Sequence, residues 1–167
     1  IFDCTNYFNE DLMYGLRLEI LDEYVDKFVV AESMYTHSGQ PKKLHFDIGK
    51  YPKFKHKIDY IVVKEEPSDL IKLDGLTYNQ VQAMKRVNSL KRIKQQYNVL
   101  VNGIVDASDD DLIILSDCDE IPNLKNIKNL KLKKILIFKQ LLFYYKFDLH
   151  HNAMVWHGSK GCLKKDL

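Results

Sequence analysis

Residues 112–122, LIILSDCDEIP, constrain what this chain can fold into more than any other stretch. Four apolar residues, 112–115, stand between the acids Asp109, Asp110 and Asp111 and the chain-turning Pro122, which reads as a short strand buried on both faces. The chain then becomes acidic at once, with Asp117, Asp119 and Glu120 just past the last apolar residue. In open α/β sheets ligands bind at the carboxyl ends of strands. Two carboxylates at i and i+2 on a turning backbone converge on one hard cation such as Mg²⁺ or Mn²⁺, and a diphosphate would complete its oxygen shell. A solvated acidic turn capping a helix would use the same residue types; the buried strand before the motif and the Pro that sets its exit favour the ligand site.

The rest of the chain alternates strand and helix. Residues 1–4 and Lys27–Ser33 read as strands, as do Ile58–Val63 and 135–138. Asn9 before Glu10 and Asp11 reads as the N-cap of a helix running to about Tyr24, with Leu12, Leu16 and Ile20, flanked by Leu18 and Leu21, as its core stripe. Thr77 caps a long helix whose stripe is Val81, Met84, Val87, Leu90 and Ile93, and whose start should lie near the end of the third strand. That placement makes Lys85 and Arg86 candidate phosphate neighbours.

Residues 123–134 read as an amphipathic surface helix rather than a nucleic-acid tract, because the apolar residues fall three apart among the lysines. Residues 141–151 are strand-like and follow 135–138 without a helix, which points to a hairpin or a departure from the parallel pattern. The expected architecture is a single-domain α/β sandwich, residues 1–167, with a mainly parallel central sheet.

Composition narrows the function. With 25 basic and 23 acidic residues the net charge is +2, which argues against nucleic acid or an anionic membrane as the main partner. Cys4, Cys118 and Cys162 have no C-x-x-C spacing, so reduced thiols are expected rather than a disulfide framework or a zinc site. No apolar run approaches the ~18 residues of a membrane span, and no stretch given reads as a signal peptide. The chain opens on Ile1 inside an apparent strand, which reads as a piece of something longer. Localisation is left open, cytoplasmic if the chain is complete as given. Neither G-x-G-x-x-G nor a P-loop is present, so any bound phosphates must be held by a cation at Asp117 and Asp119.

Three segments together, IFDCTNYFNEDLMYGLRLEIL, DKFVVAESMYTHSGQPKKLHF and DDDLIILSDCDEIP, resemble glycosyltransferase family 17. The resemblance runs from residue 1 to about 167 and includes WHGSKGC (156–162), similar to the family's W-x-G-[ST]-K-x-C region. It implies an A-type glycosyltransferase (Rossmann-like) fold and a UDP-GlcNAc donor. Mn²⁺ or Mg²⁺ would sit on Asp117 and Asp119, and GlcNAc would pass with inversion to a glycan acceptor, in β-1,4 linkage to mannose. The family domain normally continues past such a segment, so part of the acceptor site is expected to lie outside this stretch.

Within that reading the donor-binding candidates are Asp3, Glu32 (towards uridine or ribose), His37, Ser38, Arg86 and Asp117. His157 is a candidate third metal ligand. The proton acceptor is left among Glu120, Asp148 and His150 or His151. The same acidic strand end would also suit a metal-dependent phosphohydrolase or nucleotidyltransferase, and a non-catalytic carbohydrate-binding domain is the remaining alternative.

Overall fold

A computed structural model describes residues 1–127, 134–146 and 148–167. Six strands form one sheet: β1 (Phe2–Tyr7), β2 (Lys27–Ser33), β3 (Ile58–Val63), β4 (Leu112–Ser116), β5 (Leu136–Gln140) and β6 (Trp156–Leu163), in the order β3-β2-β1-β4-β6-β5. The first four run parallel; β6 is antiparallel to β4, and β5 is antiparallel to β6. Residues 141–155 therefore join β5 to β6, and among the described residues they form no strand beyond a single bridge between Phe143 and His150. The expected departure from the parallel pattern is real, but its partner strand is β6. Half of the expected helix over 123–134, residues 128–133, lies outside the described residues; of its stripe, Leu124 and Ile127 are buried in the core.

The sheet carries a core on each face, because alternate residues of a strand point to opposite sides. Phe28 and Val30 pack with Tyr14, Leu18 and Leu21 of α1 (Asp11–Leu21). Val29 and Ala31 pack with Leu100 and Ile104, in the 3-10 turn that follows α2 (Tyr78–Val99). Gly103 in that turn lies so close to β2 that a Cβ would stand 2.3 Å from Val29 Cγ1.

The core stripe expected for α1 is corrected. Leu12 is 81% exposed and Leu16 and Ile20 are also exposed, while Tyr14, Arg17, Leu18 and Leu21 face the sheet. Both stripes have helical spacing. The buried one contains an arginine, and its charge is taken up by Asp3 of β1, whose carboxylate receives Nε at 2.7 Å and Nη2 at 2.6 Å. The N-cap also moves, to Glu10, whose Oε2 accepts from the backbone N–H of Phe8 and Asn9 at 2.7 and 2.9 Å.

Helix α2 begins after Thr77 as expected, with Thr77 N–H donating to Gln80 Oε1 at 2.9 Å. Its fully buried positions, however, are Asn88 and Gln96, and Leu90 of the expected stripe is exposed. Asn88 pins the preceding loop by exchanging two hydrogen bonds with the Ile71 backbone, at 2.8 and 2.9 Å. Gln96 Nε2 donates to the Ala31 carbonyl at 2.8 Å. One side-chain amide, Gln96, thus ties the helix to the sheet and another, Asn88, ties it to the preceding loop, beside the apolar contacts of Tyr97 and Val99, where the apolar pattern alone predicted a seam along the expected stripe.

Candidate active site

Strand register brings the acidic motif to the centre of the sheet's carboxyl edge. Thr5 of β1 lies opposite Ser116 of β4, so Asp117 emerges beside Asn6. Leu115 lies opposite Lys160, and the antiparallel run of β6 carries Gly158, His157 and Trp156 past the end of β4. Gln140 pairs with Trp156 and ends β5 at the same place. Leu112, Ile113 and Ile114 are buried, but Leu115 is 39% exposed and opens on a hollow, which corrects the expectation of burial on both faces throughout.

The turn itself is anchored from below. Arg17 Nη1 donates to the Glu120 and Asp117 carbonyls at 2.9 and 3.3 Å, and Ser159 Oγ donates to the Glu120 carbonyl at 2.8 Å. Held this way, Asp117 and Asp119 are exposed and Glu120 half-buried. Tyr97 of α2 donates its hydroxyl to Asp117 Oδ1. Burial and this bond to a carboxylate raise the Tyr97 phenol far above its usual range, so it is a fixed donor. Between the two aspartates, burial pushes the Cys118 thiol up to about 12, which leaves it no nucleophilic role at neutral pH.

Three hollows meet here. The first, about 430 Å³, lies between the β1 end and α2 and is lined by Asn6, His37, Gln96, Tyr97, Asp117 and Asp119, among others. Asn6 carries a buried Oδ1 with no hydrogen-bond partner among the described residues, an acceptor suited to a ligand N–H or O–H. The second, also about 430 Å³, is walled by Asp117, Asp119, Glu120, Gln140, Trp156 and the aromatic Phe143 and Tyr145. A smaller third hollow is lined by Glu120, Trp156, His157 and Lys160, and again by Asp117. Such sizes suit small-molecule groups. Asp117 borders all three, and Asp119 the first two.

Several expected site residues are placed elsewhere. Asp3 is fully buried, with both carboxylate oxygens on Arg17, so it faces no donor. Glu32 is likewise fully buried; it accepts from Lys42 Nζ, from the His45 and Phe46 N–H groups at 2.8 and 3.0 Å and from Tyr60 OH at 2.9 Å. It ties the loop after β2 to the sheet and lines none of the three hollows, which is away from the place expected for uridine or ribose. Ser38 is exposed and pairs with Thr36 Oγ1 at 2.9 Å, outside the hollows, whereas His37 from the same loop lines the first. Lys85 and Arg86 are exposed on the N-terminal half of α2; the part of α2 at the site is its C-terminal half, so neither borders a hollow. Asp148 and His150 are exposed in the 141–155 connection and border none of the hollows, and His151 packs its ring 5.4 Å from Tyr144. His157 borders the third hollow beside Asp117.

Among the described residues no three His, Cys, Asp or Glu side chains gather tightly enough to hold an ion alone. Two exposed carboxylates on one turn fit a hard divalent cation that keeps most of its shell for phosphate oxygens and water, as Mg²⁺ does. Tyr97, Asn6 and Gln140 were not legible as site residues. They arrive from three other elements, and no local motif marks them.

A mostly parallel α/β sheet with carboxylates and adjoining hollows at its carboxyl edge defines a class of enzyme-like folds that handle small polar ligands at strand ends. The chain belongs to glycosyltransferase family 17, whose model matches residues 1–166. The β-1,4-mannosyl-glycoprotein 4-β-N-acetylglucosaminyltransferases of Homo sapiens and Rattus norvegicus are each 24% identical to it over 136 residues, covering 79% of this chain and 24% and 23% of theirs. The chain thus spans about a quarter of the length of the curated relatives it matches. No solved structure matches it.

Proposed function

We propose that this chain is the A-type, donor-handling domain of an inverting glycosyltransferase that moves GlcNAc from UDP-GlcNAc to a mannose-containing glycan in β-1,4 linkage. The observation that carries the reading is the pair of 430 Å³ hollows that share Asp117 and Asp119, since a transfer needs two reactants to meet at one place. Family membership supplies the reaction class. The UDP moiety occupies the hollow of Asn6, His37 and Tyr97. Asp117 and Asp119 hold Mn²⁺ or Mg²⁺, with Tyr97 orienting Asp117. When bound, the ion supplies Lewis-acid stabilisation of the charge growing on the UDP leaving group. His157 and Lys160 border the third hollow together with Asp117.

Glu120 is the proton acceptor in this mechanism, because it borders the second hollow while Asp148 and His150 do not. As the acceptor oxygen attacks the anomeric carbon from the face opposite UDP, its proton passes to the Glu120 carboxylate. The electron pair of the breaking glycosyl bond leaves with the diphosphate. One displacement inverts the centre.

The test separates the two neighbouring carboxylates. Asp119→Asn keeps size but removes the charge that balances the cation, and it is expected to abolish Mn²⁺-dependent UDP binding with little change in melting temperature. Glu120→Gln is expected to keep that binding and lose transfer by roughly 10²–10⁴-fold. Calorimetric titration of UDP with and without Mn²⁺ reads the first, and GlcNAc transfer the second. Metal-dependent UDP binding that survives in Asp119→Asn would move the cation to another residue. UDP release that does not require a sugar acceptor would favour hydrolysis over transfer.

A further inference from the structure

The Glu120 carboxylate is held from three sides by β6 and its surroundings. Trp156 Nε1 donates to Oε1 at 2.7 Å, and the Asp117 backbone N–H donates to Oε2 at 3.2 Å. On the third side is Gly158, where a Cβ would stand 2.9 Å from Glu120 Cδ and 2.0 Å from Gln140 Oε1. The φ of Gly158 is not in the left-handed region, so an added Cβ would act by displacing the ends of these two side chains and not through the backbone. Gln140 is itself fixed, accepting from the Ser159 N–H at 2.9 Å. Trp156 is 40% exposed, too open for burial of the ring to explain its place. Its one polar atom is used on Glu120.

We propose that residues 156–159, WHGS, form a positioning cradle for the Glu120 carboxylate, with Trp156 as the positioning residue and Gly158 leaving the space that the carboxylate occupies. The proposal rests on the reading that Glu120 accepts the acceptor proton. A glutamate at a strand end has three side-chain torsions to fix, and two N–H donors aimed at opposite oxygens select one arrangement. Each oxygen keeps acceptor capacity for the incoming hydroxyl, because a carboxylate offers about four lone-pair sites. Fixing the proton acceptor before the reactants meet lowers the barrier in the way that orientation does elsewhere, and a displacement of about 1 Å costs on the order of a hundredfold in rate. The groups that face the carboxylate come from the β4 turn and from β6, with Gln140 of β5 packed behind Gly158, so the antiparallel strands at the end of the sheet have a catalytic as well as a structural purpose.

The single Trp of the chain makes the cradle directly observable. In a ¹⁵N-correlated spectrum of the full chain there is one indole N–H resonance, and Glu120→Ala is expected to move it strongly while Asp119→Ala leaves it nearly in place. An indole resonance indifferent to Glu120→Ala overturns the proposal whether or not the chain is active. In transfer assays, Trp156→Phe keeps an aromatic ring but removes the donor. It is expected to lower kcat about tenfold to a hundredfold, with KM for UDP-GlcNAc and Mn²⁺-dependent UDP affinity within about twofold of the unaltered chain.

Gly158→Ala, which pushes on the same carboxylate from the other side, is expected to give the same pattern and carries the test if Trp156→Phe folds poorly. Trp156→Phe placed on Glu120→Gln is expected to cause no further loss, since it acts through the missing carboxylate. A full additional loss would mean that Trp156 touches the acceptor itself, and overturns the positioning role. Normal kcat in Trp156→Phe beside an inactive Glu120→Gln sinks the cradle alone. An active Glu120→Gln sinks the proton-acceptor reading, with the indole resonance still deciding whether the contact exists.

Discussion

At the scale of single residues, three carboxylates that look alike in sequence have different fates. Asp3 and Glu32 both sit on strands that end at the site, yet both are fully buried and all their charge is used inside the protein. Asp119, on the turn, is exposed. The Asp3–Arg17 pair connects the two situations, because the same guanidinium that neutralises Asp3 also holds the Asp117 and Glu120 carbonyls. Arg17→Met leaves a buried, unpaired carboxylate and releases the turn. It is expected to destabilise the fold by about 3–5 kcal/mol, the usual consequence of removing one partner of a buried pair. Adding Asp3→Asn should recover part of that loss. Chemical denaturation measures both, and a cost below about 1 kcal/mol for Arg17→Met would mean that the pair does not organise the site.

At the scale of elements, the loop after β2 shows how a ligand-like phrase becomes scaffolding. AESMYTHSGQP is closed on itself by the Thr36 N–H to Gln40 carbonyl bond at 2.8 Å and the Gly39 N–H to Thr36 carbonyl bond at 2.9 Å. It is tied to α2 by Arg92, which donates to the His37 carbonyl at 3.3 Å and pairs with Glu66. Gly39 has a φ of 88°, and a Cβ there would come 2.4 Å from Arg92 Nη2. Gly39→Ala therefore meets both a left-handed backbone and the guanidinium. A stability loss of about 1–2 kcal/mol is expected from the backbone conformation alone, and UDP affinity should weaken as His37 is displaced from the first hollow. Unchanged melting temperature together with unchanged UDP affinity would show that the loop tolerates another closure.

At the scale of the whole molecule, α1 is strapped to the 47–57 segment by ion pairs at the surface, over an aromatic cluster of Tyr7, Tyr14, Phe46 and Tyr51. Hydrogen bonding to Lys50, and then to Tyr7, lowers the Asp11 carboxyl below its ordinary 3.8; hydrogen bonding to Lys57 does the same for Asp22. Carboxyls depressed in the folded state stabilise it above their unfolded value, and that contribution disappears as pH falls through the lower, folded value. Stability should accordingly decline as pH drops below about 3.8, and the paired substitutions Lys50→Met and Lys57→Met should flatten that decline. Melting temperatures between pH 2.5 and 6 measure it; an unchanged slope in the doubly substituted chain would assign acid sensitivity to other carboxyls.

The sequence by itself determined the four parallel strands and the position of the acidic turn, but it did not mark β6 and it read 141–151 as strand-like. Lys27–Ser33 and Ile58–Val63 are found where the apolar runs place them, and 1–4 and 112–115 lie within β1 and β4, because a run of β-branched and apolar residues between turn residues has few other ways to be buried. Family membership was also legible, since it is carried by contiguous phrases. Tertiary structure alone decided which face of α1 is inside. The sequence offers two helical stripes, and the choice depends on Asp3 being available to neutralise Arg17 across 14 residues. It also decided that Glu32 is an anchor and that Tyr97, 20 residues away, and Trp156, 36 residues away, close on Asp117 and Glu120. Local patterns report burial and turns, which depend on near neighbours. The partners of a charged or polar side chain are set by strand order and register, which bring together residues that no local pattern relates.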